Sequence, residues 1–486
     1  MRLSELLREV EFEGSIKNDF DIKLVTDDSR LVRPGALFVC IRHRSFDGHT
    51  AAAEALASGA AAVVTQERLG LENELNVTDS RAAYARLCAA LCGHPERKLR
   101  MIGVTGTNGK TTVTTLIRNI LSDSGIKTLL TGTVCNRLGE ESLPSGLTTP
   151  KPPELYSLLS RAVLSGCEAC VAEASSQALA QGRLEGIAFD AAVFTNITRD
   201  HLDYHGTFEN YLAAKKKLFE HSEVLAVNLD DPRADEIIAA SSGKTVTFST
   251  VLDCADYTAK NISLLPEGVS FELVSKGRIE HINFASPGLF SVSNAMAAVV
   301  CAINLGVDPR SAAQSLARSK GVCGRLERVE CGTPYSVIID YAHTPDGLEQ
   351  VLRALRPSCR GKLIVLFGCG GDRDKTKRPL MGAAACKYAD TVIVTSDNPR
   401  SEEPMKIIGD ILKGTDKKRR GLFIEEDRRR ATALALSLAK PGDTVLLAGK
   451  GHEKYQLICG EKLPLDERET VREILGLPHD TGRKKP

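Results

Sequence analysis

The chain of 486 residues is 42% hydrophobic and 26% charged, carries a net charge of +1 and contains 14 cysteines. That length exceeds one ordinary core and predicts two to four soluble domains, while the balanced charge argues against nucleic acid or an anionic membrane as partner. No run of about 18 apolar residues occurs, and the opening MRLSELLREVEFEG is charged throughout, so neither a membrane span nor a signal peptide is expected.

Residues 1 to about 97 alternate short apolar runs with helical ones: LFVCI, AAAEALASG and AAVVT predict strand, helix and strand. Two polar segments here could meet a ligand or be ordinary turns, Asp27-Asp28-Ser29-Arg30 and Arg44-Ser45-Phe46-Asp47-Gly48-His49. Gly93-His94-Pro95, followed by charges, predicts a linker out of this first unit.

The second unit, from about 98 to 322, opens on KLRMIGVTGTNGKTTVTT. Met101 to Val104 reads as a strand, Gly106-Thr107-Asn108-Gly109 as a loop, and a helix begins near Thr111. This order suits a polyphosphate. The glycines let backbone N–H groups turn inward, the helix start adds partial positive charge, Lys110 reaches the outer phosphates, and Thr111 or Thr112 can hold Mg2+. Val104 stands where the usual G-x-x-x-x-G-K-[ST] pattern has its first glycine.

Leu147-Thr148-Thr149-Pro150 then leads into a helix over 153–165, and CEACVAEAS is a strand ending in an acid, Glu173. Its Cys167 and Cys170 have CxxC spacing but no second ligand pair, so no metal or redox role is expected of them. Most of the cysteines fall in apolar segments and are expected as buried thiols of a cytoplasmic protein. FDAAVFTNIT is a further strand ending at Arg199-Asp200-His201. Ligands of an open parallel sheet sit at the carboxyl ends of its strands, so Glu173 and His201 are expected beside the phosphate loop, where together they could complete a Mg2+ site.

In the helix from Glu209 to Phe219, 100° per residue puts Tyr211, Leu212, Leu218 and Phe219 on one arc, with Lys215 inside it and Lys216 and Lys217 outside. Lys215 there either snorkels to solvent or is buried. If buried, its pKa falls and it becomes an amine able to take up CO2 as a carbamate, a carboxylate-like group that can hold Mg2+. Residues 245 to 285, with the turn Pro266-Glu267-Gly268, predict a small β excursion, and Asn294 is expected near the start of the small-residue helix that follows.

From about 323 onward, SVIIDYAHTP, KLIVLFGCGGDRD, DTVIVTSDNPR and DTVLLAGKGHE are apolar strands, each ending in a polar constellation. They predict a parallel sheet whose loops face one way. Arg373 occupies the third glycine position of G-x-G-x-x-G, which argues against a dinucleotide site. Asp397, Asn398, Arg400, Arg373 and Glu453 combine both charge signs with an amide, a set suited to a zwitterionic amino acid or to a surface salt-bridge cluster. The basic runs Lys417 to Arg420 and Arg428 to Arg430 read as solvated surface.

Six segments together resemble the Mur ligases of peptidoglycan synthesis: GTNGKTT at 106–112, EASS at 173–176, TNITRDHLDYHG at 195–206, YLAAK at 211–215, GRLE at 324–327 and DYAHTP at 340–345. The resemblance implies an α/β protein of three domains. Residues 1–97 would be a small α/β domain binding the UDP substrate, 98–322 a central P-loop ATPase-like parallel sheet binding ATP, and 323–486 a Rossmann-like domain binding an amino acid. Asp27 to Arg30, Thr148-Thr149-Pro150 and Asp397-Asn398-Pro399-Arg400 match the branch that adds the third residue of the peptide. The D-N-P-R form is similar to that of enzymes adding meso-2,6-diaminopimelate.

Carried onto this chain, the resemblance assigns Ser29, Arg44, Ser45 and Phe46 to the UDP end of UDP-MurNAc-L-Ala-D-Glu, and Thr148, Thr149, Ser175, Gln181 and Arg183 to the rest of it. Lys215 matches a carbamylated lysine. Asn294, Arg325, Asp340 and His343 match nucleotide contacts, which join Gly106 to Thr112. Arg373, Asp397 to Arg400, Gly449 and Glu453 match the amino-acid site. Gln177 and Leu147 depart from the family, which often has histidine and asparagine there, and Arg44-Ser45-Phe46 differs from some relatives.

The implied reaction is ATP-dependent amide formation through an acyl phosphate, with Mg2+ as cofactor and Lys110, Glu173, His201 and Lys215 at its centre, in a monomer. Ligation of L-lysine, a folylpolyglutamate-synthase-like ligase and a nucleotide-gated binding protein without ligation are the alternatives.

Overall fold

The computed structural model describes residues 1–43, 46–265, 267–416 and 419–478. The expectations placed on Arg44, Ser45, Pro266, Lys417 and Lys418 lie outside the described residues. Among the described residues three main sheets form. The first has five strands in the order Glu13–Gly14, Glu74–Asn76, Ala60–Thr65, Ala36–Val39 and Leu24–Thr26, parallel except for Glu13–Gly14 at its edge. Ala60–Thr65 and Ala36–Val39 are buried along their whole length, as unbroken apolar runs require of a sheet covered on both faces.

The central sheet has eleven strands. Its parallel middle runs Thr128–Thr131, Ala169–Glu173, Arg100–Thr105, Phe189–Phe194, Ser222–Asn228 and Lys244–Ser249, so the carboxyl ends Thr105, Glu173, Phe194 and Asn228 share one rim. Residues 245–285 are not a separate excursion. Tyr257–Leu265, Gly268–Ser275 and Arg278–Phe284 continue the same sheet, because Val269, Phe271, Leu273, Ile282 and Phe284 join one apolar core with the helix Leu289–Asn304. Nor is Gly93-His94-Pro95 an open linker. Pro95–Lys98 is a turn of 3-10 helix with Pro95 and Glu96 buried, and one apolar cluster runs from Leu3 and Tyr84 through Tyr156 to Phe219, tying the first unit to the second.

The third sheet has six strands, Glu327–Arg328, Ser336–Asp340, Thr444–Ala448, Leu363–Phe367, Thr391–Val394 and Leu422–Ile424, with five helices packed on its two faces and a hairpin, Tyr455–Ile458 and Glu461–Pro464, beside it. Arg428 corrects the solvated-surface reading of its basic run: it is 2% exposed and forks onto the buried Glu467. Arg429 and Arg430 do face solvent. Eight of the 14 cysteines are buried, Cys167 and Cys170 among them. Among the described residues no helix is long and apolar enough to cross a membrane.

Candidate active site between the second and third units

The phosphate loop is built by close approach. Gly106 and Gly109 have φ of 156° and 89°; a Cβ on Gly106 would lie 1.9 Å from Thr195 Oγ1, and one on Gly109 would lie 2.5 Å from Asn294 Oδ1. Only glycine fits either place. Val104, at the position of the missing first glycine, is still inside the strand Arg100–Thr105 and fully buried, so no turn is needed there.

Two lysines converge on this loop. Lys110 Nζ donates to the carbonyls of Gly106 at 2.9 Å and Thr107 at 3.0 Å. Lys215, 1% exposed on the helix Phe208–Lys216, donates Nζ to the same Gly106 carbonyl at 2.8 Å and lies over the Tyr211 ring, 4.7 Å from its centroid. Lys215 is buried with Tyr211 and Leu212, as helical spacing predicts; Leu218 and Phe219, expected on the same helix, lie in the turn past its end and are buried there. Burial, reinforced by the Lys110 charge, pushes the Lys215 pKa well below that of an ordinary lysine; burial lowers that of Lys110 too.

Two threonines follow Lys110. Thr111 Oγ1 donates to Glu173 Oε2 at 3.1 Å, and both threonines line the neighbouring cavity. Glu173 Oε1 also accepts from Thr133 N at 2.8 Å, and a Cβ at Gly132 would stand 2.4 Å from that oxygen, so the carboxylate lies in a cradle only glycine leaves open. Hydroxyl and carboxylate oxygens side by side are the donor set of a hard divalent cation, so Mg2+ fits here. His201 does not join Glu173. It adopts φ 52° and pairs with Asp200, its Nε2 lying 3.4 Å from Asp200 Oδ2. Burial and the Lys110 and Lys215 charges hold its pKa below that of an ordinary histidine.

Against the loop lies a cavity of about 100 Å3 lined from both units, by Asn108, Gly109, Thr112 and Asn294 on one side and Arg325, Asp340 and His343 on the other. Asn294 corrects one expectation: it is the sixth residue of the helix Leu289–Asn304, not its start, and faces Gly109 from within the helix. Asp340 is a brace, its carboxylate accepting from Leu326 N and Ala342 N, both at 2.7 Å. Arg325 crosses between units, donating Nη2 to Thr111 Oγ1 at 3.1 Å and stacking 4.8 Å from the Tyr341 ring centroid. Asp346, unnoticed in the sequence, makes a second crossing by accepting from Asn108 Nδ2 at 3.2 Å. Its one sequence signal is an acid in the first turn of a Pro-initiated helix.

His343 is enclosed in this cavity. Its Nδ1 contacts the Tyr341 carbonyl at 2.8 Å, and burial plus the nearby Lys377 charge lower its pKa to about 4. An unfolded histidine titrates near 6.5, so the unfolded chain binds the proton first as pH falls. Stability is therefore complete above about pH 6.5 and falls toward pH 4, by up to about 3 kcal/mol from this group. Urea midpoints between pH 7 and 4.5 are expected to drop, and to drop less in His343→Asn.

The residues matched to the dipeptide substrate gather beside Glu173. Thr149 Oγ1 donates to the Glu173 carbonyl at 2.6 Å and lies 3.1 Å from Ser175 Oγ; Arg183 donates to the Thr149 carbonyl at 2.7 Å and to Gln181 Oε1. Thr148 is joined through Thr133 Oγ1 at 3.1 Å. Ser29 and the exposed Phe46 belong to the first unit, and Lys151 bridges the two units by pairing with Asp27 at 3.0 Å.

At the carboxyl edge of the third sheet, Asp397 and Asn398 are buried and Arg400 sits in the left-handed region at φ 54°. Asp397 Oδ2 has no hydrogen-bond partner among the described residues, and a Cβ on Gly449 would lie 2.7 Å from it. Asn398 Nδ2 donates to Glu453 Oε2 at 2.9 Å. Lys450, fully buried and missed in the sequence, donates to Asn398 Oδ1 at 2.9 Å and to Glu453. Arg400 donates to the Gly371 carbonyl at 2.7 Å and Arg373 to the Asp372 carbonyl at 3.0 Å. Neither arginine forms an ion pair among the described residues. Burial and the Arg400 charge lower the Arg373 pKa against the opposing Asp203 and Asp372 carboxylates, and the two arginines meet around Gly370, where a Cβ would lie 2.8 Å from Arg400 Nη1 and 3.8 Å from Arg373 Cγ.

Known proteins resemble this chain in sequence and fold. The Mur ligase middle domain matches residues 104–302, the Mur ligase glutamate ligase domain 324–451, and the Mur ligase family catalytic domain 21–90. The UDP-N-acetylmuramoyl-L-alanyl-D-glutamate--2,6-diaminopimelate ligase of Syntrophomonas wolfei is 43% identical over 98% of this chain and 99% of its own length. The enzyme of the same name from Clostridium tetani is 41% identical with the same coverage. A solved structure of a UDP-N-acetylmuramoyl-L-alanyl-D-glutamate--2,6-diaminopimelate ligase superposes with a TM-score of 0.71 at 35% identity, covering 98% of this chain and 99% of that one. With all three of its units matched and near full-length relatives above 40% identity, the chain belongs to the Mur ligase family.

Proposed function

We propose that this chain is an ATP-dependent ligase joining meso-2,6-diaminopimelate to the D-glutamate of UDP-MurNAc-L-Ala-D-Glu. The observation that carries the reading is the junction itself: the phosphate loop, the Glu173 cradle and the dipeptide-matched residues meet the third unit, whose paired guanidiniums and buried carboxylate suit a diamino diacid. Residues 1–97 would hold the UDP end, 98–322 ATP and 323–486 the amino acid. The enzyme would work as a cytoplasmic monomer.

The glutamate side-chain carboxylate attacks the γ-phosphorus of ATP, releasing ADP and leaving an acyl phosphate. The amine of diaminopimelate then attacks the acyl carbon and expels phosphate. Lys110 leaves its two loop carbonyls to meet the negative charge that develops on the transferred phosphoryl group. Thr111, Glu173 and Lys215 as its carbamate would hold Mg2+, which when bound neutralises phosphate charge. Asp397 and Glu453 would receive the ammonium group of the amino acid, while Arg373 and Arg400 would hold a carboxylate. The crossings by Arg325 and Asp346 keep the units together around the three substrates and so supply proximity.

The test is phosphate release measured with each substrate omitted in turn. Release is expected only when ATP, the UDP-dipeptide and diaminopimelate are all present. ATP turnover indifferent to the other two would instead mark a nucleotide-gated binding protein.

A further inference from the structure

Beneath the amino-acid site lies a charge cluster, a buried arginine with two half-buried carboxylates, that the proposed reaction does not use. Arg378, the second residue of the helix Lys377–Tyr388, is fully buried. Its Nη1 donates to Glu402 Oε2 and Asp410 Oδ2, both at 3.0 Å, and its Nη2 to Glu402 Oε1 at 2.8 Å. A two-pronged arginine–carboxylate contact fixes both orientation and distance, and a buried one is costly to leave half made.

Glu402 does not stop at Arg378. Its Oε1 also accepts from the backbone N–H of Asp372 at 2.6 Å, and Asp372 in turn accepts from Ser401 N at 3.2 Å and Ser401 Oγ at 2.7 Å. Gly371 N donates to the Asn398 carbonyl at 2.9 Å, and Arg400 returns the contact to the Gly371 carbonyl. The loop holding Arg373 and the loop holding Arg400 are thus laced to each other. A Cβ on Gly371 would lie 1.9 Å from the Pro399 carbonyl oxygen, which leaves the lacing no slack. Asp372 and Arg400 are both held at positive φ, 53° and 54°, conformations that persist only where surrounding contacts impose them.

We infer that Arg378 and Glu402 are a positioning pair for diaminopimelate recognition, holding the Arg373 and Arg400 loops in the register that brings their guanidiniums together. The inference rests on the proposed ligase reading and adds to it residues that touch no substrate. Glu402 is the informative position, because it alone of Arg378's partners also bonds the Asp372 backbone. Asp410 is the control: it pairs with the same guanidinium at the same distance but bonds neither loop.

Steady-state kinetics of the full chain with all three substrates, and thermal midpoints, separate the outcomes in E402Q and D410N. In E402Q the KM for diaminopimelate is expected to rise about tenfold or more and the preference for diaminopimelate over lysine to shrink, with the KM values for ATP and the UDP-dipeptide near wild type. D410N is expected to keep the wild-type KM for diaminopimelate even where its thermal midpoint falls. An unchanged KM in E402Q, equal rises in both variants, or equal rises for all three substrates would overturn the inference. Wild-type chain that fails to ligate diaminopimelate would overturn the ligase reading instead.

Discussion

Replacing Lys215 with alanine is expected to lower kcat by roughly 10²–10³-fold, the usual cost of removing one fixed electrostatic group from an active site, and short-chain carboxylates such as acetate are expected to restore part of it. The reason lies in the contact at Gly106. Lys110 and Lys215 both donate to its carbonyl, at 2.9 and 2.8 Å, and Lys215 is 1% exposed with no carboxylate bonded to it among the described residues. Two ammonium groups on one carbonyl in a buried site repel each other, and burial and that repulsion both drive Lys215 toward the neutral amine. A neutral amine adds CO2 with loss of a proton, which converts the unfavourable cation into an anion beside Lys110. The same change would offer an oxygen ligand to the Mg2+ proposed at Thr111 and Glu173. Labelled bicarbonate should give a carbamate NMR signal in the wild type that is absent from Lys215→Ala. Full activity of the alanine variant, with an unchanged thermal midpoint, would remove the carbamate from the mechanism.

Lys215 also marks how far local sequence carries. Its burial follows from helical spacing within a few residues, and the strand, loop and helix around Gly106 follow from punctuation by glycine and apolar runs. The contacts that complete the site span the chain. Arg325 reaches Thr111 across 214 positions and Asn108 reaches Asp346 across 238. No local period encodes such distances. Asn294 reads as a polar residue at a helix start because glycine and proline precede its helix, yet five residues of that helix come first and carry its side chain to Gly109. Arg428 looks solvated beside two exposed arginines, and partners far along the chain, the Ala448 carbonyl and Glu467, 39 residues later, make it a core residue. His201 follows a parallel strand as Glu173 does, but its left-handed backbone turns it to Asp200. Strand order places residues on a common rim; it does not decide which of them touch.

Arg400→Ala is expected to cost about 1.5–3 kcal/mol in kcat/KM for diaminopimelate, roughly 10–100-fold, and little for lysine. Diaminopimelate differs from lysine by a carboxylate at its far end, so the residue that selects it must offer a cation that no protein carboxylate has already taken. Arg400 meets that condition. Its guanidinium is oriented by one bond, to the Gly371 carbonyl at 2.7 Å, and forms no ion pair among the described residues. Its backbone is fixed on both sides, N donating to the Leu457 carbonyl at 3.0 Å and the carbonyl accepting from Cys459 N at 2.7 Å, so the side chain enters the site from a rigid anchor. Arg373 shares the charge but hangs from a single carbonyl of its own loop. Alanine keeps the left-handed backbone that arginine already tolerates, which confines the change to the guanidinium. The decisive quantity is the ratio of kcat/KM for diaminopimelate to that for lysine, measured in wild type and variant under one set of conditions. A ratio that survives the substitution would move selection of the distal carboxylate to Arg373.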